Sequence, residues 1–419
     1  MTGWLRFGRF VTPRRMKYAW ITGAALWLAW LVSIALGPGN LDLAGNVIGT
    51  DYLQFYTSGI TLRLHGSQRL YDFPFQQELE QAVVGGQFES IYAFLTPPFF
   101  AWLYLPLSFL PYTVSFLAWS LLGLVLLWAS LRWLGVEHPW RAFLWALTWF
   151  PVFASISFGQ NSLLSLAILS LVYFLWLRRR PWAAGLVSSL LLYKPQFLLG
   201  VSLLWCLDWR REGKSLLGLF LGAGLLGGLS FWAMPQASRE YLAISRQLLS
   251  NLLTLEGFPL WHAHTLRAFW LLIFPGGSTL AELFALAVSL AGLGAFLRLW
   301  WKQRAHPPLV YAAAVGWTVL VSPHAMIYDW ALLLIPAVLL WKKLPERRAV
   351  WQPLFAALWI VSILSGSLTL LQLRVFDRAV QFSIPVLLLV SYAVYKNLTV
   401  DAPPQEGAAG WSVSAGDTL

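Results

Sequence analysis

The chain has 419 residues, of which 58% are hydrophobic and 11% charged, with a mean hydropathy of +0.64. A soluble domain carries about 25% charged residues, so a water-soluble body is excluded and a polytopic membrane protein remains. The net charge of +11 does not signal a nucleic-acid partner, because the basic residues fall in bursts at 6–17, 178–180, 210–211, 302–304 and 342–348, the positive-inside pattern of cytoplasmic loops.

A membrane-spanning helix needs roughly 20 mostly apolar residues. In chain order such runs cover 17–36, 112–131, 142–158, 162–177, 216–234, 280–300, 309–322, 326–341, 350–371 and 380–395. The first follows a basic stretch but lacks a small-residue cleavage site before Gly37, which predicts an uncleaved anchor. Two stretches do not read as simple spans. Residues 92–110 are apolar but carry Pro97, Pro98 and Pro106, which break helices. Because an outside loop at 37–90 and an inside loop at 132–141 require an odd number of crossings between them, either this stretch re-enters without crossing or 132–141 is not inside. Residues 182–207 are interrupted at Lys194-Pro195. That predicts two short helices meeting at a break, which is tolerated where it lines a cavity.

Placing every basic burst in the cytoplasm yields about twelve spans with both termini inside, an all-α architecture. One membrane domain is expected over 1–396, with outside interfacial loops at 37–90 and 235–278. Residues 397–419, rich in Pro, Gly, Ala and Ser, read as a disordered cytoplasmic tail. The single Cys206 rules out an intrachain disulfide and a Cys-based metal site. Among Leu and Trp it reads as an inert packed thiol.

Ionisable groups near hydrocarbon are costly, so each is a functional candidate. The orientation places Asp51, Gln160, Lys194, His262, His264, His324 and Asp329 on one outside face. Asp51 sits among Tyr52, Phe55 and Tyr56, where desolvation raises a carboxyl's pKa and makes it a better base. A short helical run follows it, so a helix N-cap is the competing reading. Lys194 is suited to holding a phosphate as a point charge, or to snorkelling towards the interface. Gly159-Gln160-Asn161 reads first as a polar hairpin turn. His324 and Asp329 flank another outside break, where a helix-terminus role competes with chemistry. His262 and His264 could share a metal on a strand, but no acidic third ligand lies nearby. No D-x-D, P-loop or H-E-x-x-H spacing occurs, and neither metal nor cofactor is expected.

Short motifs in order along the chain carry a resemblance. Asp51-Tyr52-Leu53-Gln54-Phe55-Tyr56 with Ser58-Gly59 resembles the D-[FY]-x-x-[FY]-[YW]-x-[AS]-G opening of glycosyltransferase family 87. Leu70-Tyr71-Asp72, Thr96-Pro97-Pro98-Phe99-Phe100 and Pro106-Leu107-Ser108-Phe109-Leu110-Pro111 follow the same pattern. Gly159-Gln160-Asn161-Ser162 is similar to its G-Q-x-[ST] turn, and Tyr193-Lys194-Pro195-Gln196 to its K-P-Q segment. Ser322-Pro323-His324 with Tyr328-Asp329 is similar to its late P-H-x-x-x-Y-D element.

The resemblance implies a GT-C fold in the plasma membrane and an inverting transfer of a sugar, typically mannose, at the outer face. The donor would be a polyprenyl-phosphate sugar and the acceptor a lipid or glycan. It implies Asp51 as catalytic base and Lys194 as a donor-phosphate contact. His324, Gln160, His264, Asp329 and Tyr52 would complete the donor site. A transporter or lipid flippase, and another GT-C-like polymerase or ligase, stand as alternatives. The first predicts repeat-related halves with polar residues at the bilayer midplane, and the second a main outside loop late in the chain.

Overall fold

The computed structural model describes residues 13–86, 91–247, 249–255, 257–276, 279–343 and 348–400. Among them the chain is helical, with isolated bridges at Leu41–Val47 and Ala263–Met326 in place of strands. It opens with α1 (Pro13–Leu36), then an irregular loop holding α2 (Tyr52–Ile60) and α3 (Phe73–Val84). After α4 (Tyr112–Trp133), the run expected as one span over 142–158 is divided into α5 (Pro139–Leu147) and α6 (Phe150–Ser157). Pro151 is the cause: it lacks an N–H and so occupies the first turn of a new helix.

Two helices, α7 (Ser162–Leu177) and α8 (Pro181–Ser189), form a hairpin. Beyond α8 the chain tightens into 3-10 turns, Leu190–Tyr193 and Pro195–Leu198, on either side of Lys194 before α9 (Leu199–Leu207). The interruption read from Lys194-Pro195 is therefore present. Next come α10 (Trp209–Ala233), α11 (Pro235–Gln247), α12 (Leu266–Ile273), α13 (Thr279–Gln303) and α14 (Pro307–Val321). A 3-10 turn, Ile327–Leu333, leads into α15 (Leu334–Lys343), followed by α16 (Arg348–Val375) and α17 (Ser383–Val400).

Five described helices are long and apolar enough to cross a membrane, within α1, α4, α10, α13 and α16. The expectation of about twelve spans is thus met only in its coarse form, a helical membrane protein. Helices such as α7 and α14 are apolar but shorter. Residues 92–110 form no helix of spanning length: a single turn at Pro98–Ala101 and a 3-10 turn at Leu107–Phe109 pack against α2. Most of the expected tail, 401–419, lies outside the described residues, whereas 397–400 belong to α17.

The exterior is apolar. Leu217, Phe220, Leu221, Leu225 and Trp232 on α10 are all exposed, which in water would be a large unpartnered patch and in a bilayer is the lipid face. Gly185 of α8 meets the backbone of Ser215 and Gly218 on α10 so closely that any side chain would collide. Small residues at such contacts are how membrane helices gain close packing. Cys206 corrects the reading of a packed thiol: it is exposed. Helix α9 buries Gly200, Val201, Leu204 and Trp205, and Cys206 falls off that face.

Candidate active site

Asp51 stands at the entry to α2, yet its side chain caps nothing there. Asp72 shows what a cap looks like in the same loop, accepting from the Phe75 N–H at 3.2 Å at the start of α3. Asp51 Oδ2 instead accepts from Gln160 Nε2 at 2.8 Å. Backbone contacts bring the two segments together. The Tyr52 N–H donates to Phe158 O at 3.0 Å, and Trp119 Nε1 donates to Gly159 O at 3.1 Å. Gly159 is left-handed, with φ +67°, and lies against Tyr52, where a Cβ would overlap the tyrosine side chain. Only glycine satisfies both demands.

Gln160 Nε2 also donates to Tyr328 Oη at 3.1 Å. Tyr328 belongs to the 3-10 turn Ile327–Leu333, and the next residue anchors a second network. Asp329 Oδ1 accepts from Lys194 Nζ at 2.7 Å and from Ser162 Oγ at 2.6 Å, while Oδ2 accepts from the Met326 N–H at 3.2 Å. Lys194 therefore turns inward rather than snorkelling. Its ammonium lies 5.3 Å from the Tyr328 ring and 5.7 Å from the Phe197 ring, close enough for cation–π attraction. His324 Nε2 comes within 3.5 Å of Gln196 Nε2, next to the break at Lys194.

Four interruptions of regular structure thus converge: the entry to α2, the turn between α6 and α7, the break at Lys194, and the segment 322–329. They carry Asp51, Gln160, Lys194, His324 and Asp329. Burial pushes the Asp51 carboxyl above the usual carboxylate range, while the Gln160 hydrogen bond and the Lys194 charge pull it back. Burial also holds His324 below its ordinary value, opposed by Asp329 and reinforced by Lys194 and Arg267. The ring is then mostly neutral at pH 7, able to donate from one nitrogen and accept at the other.

Two residues expected at the donor site are enclosed by protein. Tyr52 packs among Tyr104, Tyr112, Phe116 and Trp119, with its hydroxyl 2.6 Å from Ser115 Oγ. His264 is fully buried, Nδ1 lying 2.7 Å from Ser383 Oγ. Its N–H donates to Ala325 O and its carbonyl accepts from Trp330 Nε1, so it braces the segment that carries His324. Burial lowers His264 to about 3 and His262 to about 4. The His262 ring packs on Phe158 and Trp261, whereas His264 Nδ1 meets Ser383 Oγ.

Sequence reasoning missed the roles of Tyr328 and Ser162, which were visible only as motif positions. It also missed Arg267, which reaches His324 electrostatically and pairs through Nε with Glu282 at 2.8 Å and 3.1 Å. Asn161, between Gln160 and Ser162, is fully buried, and its amide meets no protein partner among the described residues.

The family model described as Glycosyltransferase family 87 matches residues 94–323, more than half of the chain. The matched stretch includes Gln160, Ser162, Lys194 and His264; Asp51 precedes it, and His324 and Asp329 follow it. No curated protein and no solved structure matches the chain.

Proposed function

Because the chain belongs to glycosyltransferase family 87 and is a membrane glycosyltransferase, we propose that it transfers a sugar, mannose foremost, from a polyprenyl-phosphate donor. The acceptor is a hydroxyl of a lipid or glycan at the outer face of the plasma membrane. The observation that carries this reading is the half-buried Asp51, whose carboxylate is uncommitted to its own helix and accepts from Gln160 near the Lys194–Asp329 pair.

In the proposed step Asp51 removes the proton of the acceptor hydroxyl as that oxygen attacks the anomeric carbon. The bond from that carbon to the phosphate oxygen breaks on the opposite side. Its electron pair leaves with the polyprenyl phosphate, and the configuration inverts. General-base assistance of this kind is worth roughly 10²–10⁴ in rate. The leaving phosphate is a weak base, so it requires a nearby cation more than a proton. A lysine ammonium has three N–H donors; one is given to Asp329, and the others serve the phosphate oxygens. Asp329, expected among the donor contacts, supports a different reading. A carboxylate repels phosphate, whereas here it aims and retains Lys194. His324 offers a second donor beside it, and Gln160 orients the base.

The test is incubation of purified protein with radiolabelled polyprenyl-phosphate mannose and a membrane lipid extract. Labelled lipid or glycan is the expected product. Transfer from a nucleotide sugar with none from polyprenyl-phosphate hexoses or pentoses would overturn the donor class.

A further inference from the structure

Behind Gln160, between α4, α6 and α7, lies a cavity of about 10 Å³, room for about one water molecule. Its walls include Trp119, Ser120, Gly123, Ser155, Gln160 and Leu163. Two of these do not suit an apolar crevice. Ser120 is 8% exposed and Ser155 1%, and neither hydroxyl oxygen meets a protein partner. A helical serine commonly returns its hydroxyl to the carbonyl three or four residues back, as Ser130, Ser188 and Ser189 do in this protein. Ser120 in α4 and Ser155 in α6 do not. Buried hydroxyls without partners are costly, and both line the same small space.

Gln160 gives the space a purpose. Its Nε2 is committed to Asp51 and Tyr328, whereas its Oε1 has only a long contact, 3.3 Å from the Asn161 N–H. Ser155 already holds the turn through its backbone, its carbonyl accepting from the Gln160 N–H at 2.8 Å.

We propose that this cavity binds a single internal water held by Ser120 Oγ, Ser155 Oγ and Gln160 Oε1, making the two serines positioning residues for Asp51. Three hydrogen bonds are the ordinary complement of a buried water. A water hydrogen donated to Oε1 fixes the sense of the Gln160 amide. Turned by half a rotation, that amide would set its carbonyl oxygen against the Asp51 carboxylate, and the base would lose one of its two side-chain donors, keeping Tyr328. The inference rests on Asp51 being the base.

The test uses the full chain in lipid nanodiscs. A cryo-EM map fine enough to show waters should contain a peak between the two hydroxyls. Ser120→Ala/Ser155→Ala should lose that peak and about tenfold in kcat, the order of a modest misorientation. The acid limb of its kcat/KM profile should move to higher pH, because the Gln160 bond that lowers the Asp51 pKa is loosened. Ser120→Thr, which keeps a hydroxyl, should retain the wild-type limb. Serines that merely pack would lower Tm and leave the limb in place, and that result overturns the proposal, as does a wild-type map without the peak. The two readings fail separately: a fully active Asp51→Asn removes the base but not the density, and missing density removes the water while Asp51→Asn stays inactive.

Discussion

Replacing Asp51 with Asn keeps the size of the side chain and an oxygen to accept from Gln160, but removes the group that takes the proton. The structure separates the two effects that such a change could have. Asp51 makes no capping bond, so the typical cost of losing an N-cap, about 1 kcal/mol, does not arise. Its carboxyl is raised by burial, and a folded-state value above the unfolded one gives stability that is complete only below the unfolded value. That stability is lost as pH rises through the folded value. Ionised Asp51 is therefore a burden on the fold at pH 7, and Asp51→Asn should hold or raise Tm there. Chemistry should respond in the opposite sense. Loss of a general base costs at least about 100-fold in kcat, or about 2.7 kcal/mol of barrier, with the donor KM little changed. Initial rates of labelled-sugar transfer in nanodiscs measure this, with Asp42→Asn and Asp72→Asn as loop controls. Asp42 accepts from the Ala44 and Asn46 N–H groups and Asp72 caps α3, so both alter loop charge away from the Gln160 turn. Asp51→Asn turning over at more than about a tenth of the wild-type rate would refute the mechanism.

Lys194→Ala should raise the donor KM sharply and also lower Tm, because it strands Asp329, 2% exposed, without its cation; breaking such a pair costs about 3–5 kcal/mol. Adding Asp329→Asn should restore Tm but not donor binding, and Lys194→Arg should rescue charge without geometry; a wild-type donor KM in Lys194→Ala returns the lysine to a purely structural role. Glu80 on α3 accepts the Tyr92 N–H at 3.1 Å and is pushed up to about 8 by burial. Its contribution to stability is complete below the unfolded value near 4.3 and disappears as pH climbs through about 8. Wild-type Tm should therefore fall from about pH 5 to about pH 8 and level off above that, and Glu80→Gln should flatten the slope; parallel curves would show Glu80 ionising normally. For topology, cysteines placed at the exposed Gly86 and Leu255 in a Cys206→Ala background should react with an impermeant reagent in intact cells. Protection of both would reverse the orientation.

The apolar runs were legible because a bilayer demands long uncharged stretches, and the break at Lys194 was legible because proline cannot continue a helix. Pro151 carried the same chemistry but sat in a run with no charge beside it, so the division between α5 and α6 passed unseen. Asp51 could not be resolved between cap and base from its neighbours, since either role uses an acid before a short helix. What removes the cap is that the carboxylate meets Gln160 instead, a contact made by the packing of Gly159 on Tyr52, 107 residues apart in the chain. Lys194 and Asp329 were each conspicuous, but 135 positions separate them and no local pattern announces the pair. Tyr52 and His264 are expected at the donor site from their motifs; their enclosure depends on which way a side chain turns. Cys206 shows the same limit, because an α9 apolar on all sides has no periodicity to reveal its packed face.

The separation of Lys194 from Asp329 has a consequence for how the protein is made. At about 5–20 residues per second of synthesis, the acid follows the lysine by roughly 7–27 s. Throughout that interval the ammonium lacks its ion-pair partner, and Asp51 is the carboxylate already made that senses its charge. The proline-marked break, between two tight turns, gives it somewhere to wait. The Lys194–Asp329 pair is thus among the last contacts of the molecule to form, and its closure reports that everything from α7 to the turn Ile327–Leu333 has arrived. A nascent chain arrested near residue 300 should leave Lys194 open to a water-soluble amine reagent that the finished protein resists; equal labelling of both would mean that the lysine is buried without its partner.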